Sequence, residues 1–85
     1  MKYFLYILKS KATEKYYTGI SQNPERRLLY NNTIEKGFTS RYRPWIIVYK
    51  KIFETRTEAS FVENKIKNWK SKIMIEKIIS GKIKL

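Results

Sequence analysis

Residues Tyr3 to Arg27 read YFLYILKSKATEKYYTGISQNPERR, and the fold is decided here. Tyr3 to Lys9 is a short aromatic and aliphatic run, which predicts a strand buried on both faces. Lys11 to Lys15 is a polar turn, and Tyr16 to Ile20 is a second β-type run, so the two should pair as an antiparallel hairpin. Asn23 then suits a helix N-cap, with Pro24 at the first helical position and Glu25 favourable to the helix dipole. A helix is expected from Pro24 to about Asn31, with Leu28 on its inner face.

Outward from this stretch, Asn31 to Pro44 has no helical periodicity and gathers Gly37, Thr39 and Ser40 with Lys36, Arg41 and Arg43. It reads as a mobile basic loop. Trp45 to Phe53 is the third strand. Thr55-Arg56-Thr57-Glu58 fits a capping box, and it opens a helix in which Ala59, Val62, Ile66 and Trp69 form a core stripe. The pattern breaks near Ser71, and Ile73 to Ile79 predicts a last short helix ending at Ser80-Gly81. The expectation is a single α+β domain over residues 1–85, a small antiparallel three-stranded sheet flanked by helices in the order β-β-α-β-α-α.

Composition narrows the chemistry. With 85 residues and 42% hydrophobic content, the chain can bury one modest core. Its net charge of +12 calls for a polyanionic partner, for which nucleic acid is the commonest candidate and a membrane surface or an acidic protein the alternatives. There is no Cys or His, and all seven acids are Glu. Cys and His zinc sites, Cys nucleophiles, Ser-His-Asp triads and two-histidine iron sites are therefore excluded. Acid-base or metal chemistry must rest on Glu, Tyr, Lys or Arg. The N-terminal apolar run is too short for a signal-peptide core, and no transmembrane run follows. A cytoplasmic protein without membrane partners is expected, which the absence of Cys suits.

Leu5-Tyr6-Ile7, then Tyr17-Thr18-Gly19 about ten residues on, Asn23-Pro24-Glu25, Arg26-Arg27 and the later ASFVENKIKNW around Glu63 occur in a telling order. In kind, order and spacing they resemble the GIY-YIG nuclease family, most closely its small single-domain members, from Tyr3 to about Lys72. The resemblance implies a Mg²⁺-dependent endonuclease, with Mn²⁺ as a substitute and no small-molecule cofactor, that hydrolyses phosphodiester bonds in DNA. Duplex, branched and single-stranded forms stay open, and repair is one role that such proteins serve. It implies that Glu63 is the metal ligand, that Arg27 holds the scissile phosphate, and that Tyr6 and Tyr17 place hydroxyls near that phosphate. Tyr30 would stand where many relatives carry His, and Gly19 would let backbone and phosphate approach closely.

The residues also have plain readings. Glu63 lies at the margin of its helix stripe and can pair with Lys67 four residues on. Tyr6 and Tyr17 can be core aromatics, and a phenol of pKa about 10 is a poor base at neutral pH. Neighbouring helical residues point about 100° apart, so only one of Arg26 and Arg27 can face a given site. Leu5 departs from the family glycine, and Ile20 stands where some branches carry a lysine that assists a tyrosine base. Lys9 or Lys15 could replace that lysine. The backbone-binding surface is expected from Arg26, Lys36, Arg41 and Arg43 with Lys67 and Lys70, because the tail from Asn64 to Leu85 holds seven Lys and one Glu. Tyr42 and Trp45 either stack on bases or anchor the third strand. The alternative functions are a non-catalytic nucleic-acid-binding module that keeps the fold, and a basic protein that coats RNA or binds an acidic partner.

Overall fold

The computed structural model describes residues 2–33 and 42–85; Lys36 and Arg41 fall outside the described residues. Strands β1 (Tyr3–Ser10), β2 (Tyr16–Ser21) and β3 (Trp45–Phe53) alternate with helices α1 (Pro24–Thr33), α2 (Arg56–Trp69) and α3 (Lys72–Ile79) in the expected β-β-α-β-α-α order. The sheet is antiparallel throughout, ordered β2-β1-β3. No helix among the described residues is long and apolar enough to cross a membrane.

The central strand explains the layering. Leu5, Tyr6, Ile7 and Leu8 are all buried, and successive strand side chains point to opposite faces. Leu5 and Ile7 join Ile66 of α2 and Ile78 of α3 in one cluster. Tyr6 and Leu8 join Trp45, with Tyr17, Leu28, Tyr42 and Ile47 packed around them, in the other. Helix α1 therefore covers one face and helices α2 and α3 the other. A register shift between Ile7 and Leu8 marks an irregularity in the β1–β3 pairing.

Local chemistry fixes where the elements begin and end. Ser10 Oγ accepts from the backbone N–H groups of Ala12 and Thr13 at 3.1 Å and donates to the Tyr42 carbonyl at 2.6 Å, closing the hairpin turn. Asn23 Oδ1 caps α1 by accepting from the Arg26 N–H at 3.1 Å. Thr55 Oγ1 accepts from the Glu58 N–H at 3.2 Å and donates to the Glu58 carboxylate at 3.1 Å. Ser71 caps α3 through the Met74 N–H. The core stripe of α2 is as expected, with Ala59 and Ile66 buried and Val62 and Trp69 packed against the core.

Helix α1 runs past the expected end near Asn31, reaching Thr33. The cause is distant in sequence. Asn32 donates from Nδ2 to the Trp45 carbonyl at 3.0 Å, and its Oδ1 accepts from the Trp45 N–H at 2.7 Å. One side-chain amide thus satisfies both backbone groups of a buried residue at the start of β3. Arg43 Nε adds a bond to the Asn31 carbonyl at 2.7 Å, placing positive charge at the negative end of α1.

Replacing Asn32 by Ala should strand these two Trp45 backbone groups and lower stability by about 1–3 kcal/mol. Urea unfolding of Asn32→Ala beside the parent chain measures this, and a midpoint equal to the parent's would contradict the assigned role.

Candidate functional site

The register of the hairpin builds the site. Tyr6 on β1 lies directly opposite Gly19 on β2. A Cβ at Gly19 would sit 2.7 Å from the Tyr6 hydroxyl oxygen, 2.8 Å from its Cζ and 3.3 Å from Cε2 of Tyr17. The room left by the missing side chain is filled by the Tyr6 phenol, so space rather than backbone conformation demands glycine here.

Arg27 arrives from α1 in the first turn after the cap, its N–H bonded to the Asn23 carbonyl at 3.2 Å. Its guanidinium hydrogen-bonds the Tyr6 hydroxyl. The Arg27 Cζ also stands 5.0 Å from the centre of the Tyr30 ring, within cation–π range. The guanidinium thus interacts with two phenols. A cleft of about 380 Å³ opens beside it, lined by Tyr3, Ser21, Asn23, Tyr30 and both Arg26 and Arg27, against the expectation that only one of the two arginines faces the site.

Tyr6 is only 1% exposed, and burial pushes its pKa above the ordinary 10.0. The Arg27 hydrogen bond and positive charge oppose that shift, while Tyr17 and, least, the Glu63 carboxylate add to it. The consequence is a phenol that stays protonated at neutral pH. It can orient a group by hydrogen bonding but is poorly suited to remove a proton.

Glu63 comes from α2, on the far side of the strand pair, and its side chain is 15% exposed. Its Oε2 lies 3.2 Å from Nζ of Lys67, itself 52% exposed. The plain reading of Glu63, a pair with Lys67, is therefore seen, and its charge also acts on Tyr6. Among the described residues no three acidic, His or Cys side chains gather into a metal cluster. A lone carboxylate suits Mg²⁺, which keeps several waters and completes its shell with substrate phosphate.

The other expected residues divide. Tyr17 meets Trp45 edge-on at 6.4 Å and Trp45 is buried, so Trp45 anchors β3 rather than offering a free stacking face. Arg43 is tethered to the end of α1. Lys67 and Lys70 line a second, wider cleft. The structure directs Lys9 over the Tyr16 ring and Lys15 over the Tyr42 ring, away from the role of assisting Tyr6 or Tyr17. Sequence reasoning overlooked Asn31, which is buried one helical turn beyond Arg27, with its Nδ2 lacking a hydrogen-bond partner among the described residues. The i+4 spacing from Arg27 was the available signal.

Comparison with known proteins gives a consistent result. The profile of the GIY-YIG catalytic domain matches residues 2–77. A UPF0213 protein of Staphylococcus saprophyticus is 32% identical over 81 residues, covering 94% of this chain and 98% of that protein. A UPF0213 protein of Staphylococcus haemolyticus is 36% identical over 70 residues, covering 80% and 83%. The solution NMR structure of a UPF0213 protein from Bacillus halodurans aligns with a TM-score of 0.60 at 25% identity, covering 94% of this chain and 84% of that one.

Two outcomes follow from the packing around Tyr6. Gly19→Ala should cost about 1–3 kcal/mol through overpacking, read from the urea midpoint; unchanged stability would mean that the phenol moves aside freely. The second concerns pH. Because the folded-state pKa of Tyr6 is raised, the stability linked to it is complete below pH 10 and is lost as pH climbs through the raised value. In an absorbance titration of the phenolates, Tyr6→Phe should therefore remove one ionisation from the part of the curve above pH 10, and loss from the part below would contradict the burial effect.

Proposed function

The chain belongs to the GIY-YIG family, a nuclease-type catalytic domain, and on that premise we propose that it is a Mg²⁺-dependent endonuclease hydrolysing phosphodiester bonds in DNA. The observation that carries this reading is the arrangement of opposite charges around one buried phenol. Arg27 favours and Glu63, most weakly, disfavours ionisation of the Tyr6 hydroxyl, so both charges act on that one buried group, which lies opposite Gly19 in the hairpin.

Each residue has a task in that scheme. Arg27, aimed by Tyr6 and Tyr30, presents a planar fork that can take two non-bridging phosphate oxygens and stabilise the charge that grows on them. Tyr6, kept protonated, orients Arg27 and the phosphate. Tyr17 and Tyr30 are then the phenols left to orient water or accept its proton. Bound at Glu63, a divalent cation would supply positive charge for the leaving oxygen. Lys67, half exposed, holds that largely buried carboxylate through one pair at 3.2 Å, which a bound cation would have to displace or share. Arg26 and the lysines of α2 provide contacts to the DNA backbone that make affinity salt-dependent.

The Glu63–Lys67 pair also favours a second reading, a nucleic-acid-binding module in which Glu63 only steadies its helix. Supercoiled plasmid in Mg²⁺ separates the two. The parent chain should nick it and should stop when EDTA is added. Arg27→Ala and Glu63→Ala should each lose on the order of 10²-fold or more in rate while still retaining the plasmid on a filter. A pure parent chain that cuts no duplex, branched or single-stranded DNA in Mg²⁺ or Mn²⁺ would refute the enzyme reading and leave the binding module.

A further inference from the structure

The wider cleft, about 580 Å³, lies between β2 and the junction of α2 with α3, and its walls are chemically divided. Tyr16, Ile66 and Ile75 offer an apolar surface, while Lys67, Lys70 and Lys72 line it on the helical side and Glu14 and Lys15 on the hairpin side. The apolar wall is firm, because Ile66 is part of the buried core and Tyr16 and Ile75 pack against it. Lys70 holds a left-handed conformation at φ 48° that side-chain-bearing residues adopt at some cost. That turn sets Lys70 between the two helices at the cleft. A volume of this size falls within the range of about 300–1,000 Å³ usual for small-molecule sites.

The cleft is tied to the candidate active site through two of its lining residues. Tyr17 lines it and also acts electrostatically on Tyr6, while Lys67 lines it and also pairs with Glu63. Lys72 pairs with the exposed Glu14 at 3.4 Å, a partner that phosphate can replace, whereas Lys67 holds the largely buried Glu63. Moreover, β2 is an edge strand of the described sheet, so its outer backbone groups have no strand partner. Three cations beside an aromatic and aliphatic wall match an anion joined to a flat, weakly polar group. A nucleotide has both parts, whereas free phosphate has one.

We propose that this cleft receives one unpaired nucleotide of the DNA strand beside the bond to be cut, its base against Tyr16 and Ile75 and its flanking phosphates on Lys67, Lys70 and Lys72. A base stacked and paired within duplex DNA cannot present its face to such a wall. Single-stranded, flapped or frayed DNA should therefore bind better than a blunt perfect duplex. This inference uses the proposed nuclease reading to say which strand enters, but base capture itself needs no catalysis.

Fluorescein-labelled oligodeoxynucleotides in EDTA test it by anisotropy on the full chain. The probes are a single strand of fixed sequence, the same strand with several consecutive abasic residues at its centre, and its blunt duplex. The abasic strand should bind about tenfold more weakly than the intact strand, as expected for loss of base stacking. The duplex should also bind more weakly than the intact strand. Lys70→Asn, which tolerates the left-handed turn, should shrink the salt dependence of binding and leave the abasic penalty in place. Equal affinity for intact and abasic strands, or duplex binding as tight as strand binding, would overturn the proposal. If the chain cuts DNA but shows no abasic penalty, the base pocket alone fails; if the penalty is present but nothing is cut, the nuclease reading alone fails.

Discussion

A strand buried on both faces constrains everything else in this protein. β1 must place an apolar or well-partnered side chain on each side of the sheet at every step, and its alternation divides the core into two clusters. One face recruits α2 and α3 through Leu5 and Ile7. The other recruits α1 through Tyr6 and Leu8. The polar end of Tyr6 is the exception to this apolar logic. A buried phenol needs a hydrogen-bond partner and room for its ring, and the fold supplies Arg27 for the first need and Gly19 for the second.

Stability and proposed function meet at that phenol. Burial raises its pKa and keeps its proton in place, which makes it a fixed hydrogen-bonding group rather than a base. The same phenol interacts with Arg27, which also meets the Tyr30 ring at 5.0 Å. Positioning a guanidinium in advance is the contribution that an active site for phosphate chemistry most needs, since little reorganisation is then required when charge develops. Glu63 enters from the opposite layer, and its charge acts on the same phenol, the smallest of the effects there. The candidate site therefore draws on α1, β1, β2 and α2.

Much of this was legible in the sequence because the signals are local. The β3 run from Trp45 to Phe53, the Thr55 and Asn23 caps, and the stripe Ala59, Val62, Ile66 and Trp69 follow from residue type and spacing, and the structure has each of them. Arg27 and Glu63 were brought together only by the resemblance, since nothing local links residues 36 positions apart. What escaped was long-range. The end of α1 depends on Asn32 meeting Trp45, 13 residues away. Lys9 and Lys15 had plausible reach to a site tyrosine, but the hairpin turns them toward other rings. Gly19 was expected to let phosphate approach the backbone, whereas the space at its missing side chain is filled by the Tyr6 phenol of the opposite strand, which only the register reveals.

The central claim is that Arg27, Tyr6 and Glu63 form one locus where a divalent cation and a DNA phosphate meet. Paramagnetic broadening by Mn²⁺ in the NMR spectrum of the labelled protein, bound to a cleavage-resistant phosphorothioate strand, tests it most directly and needs no turnover. Broadening should be strongest around Glu63, extend to Tyr6 and the Arg27 side chain, and vanish from both in Glu63→Ala. Broadening centred elsewhere, or unchanged in Glu63→Ala, would contradict the account.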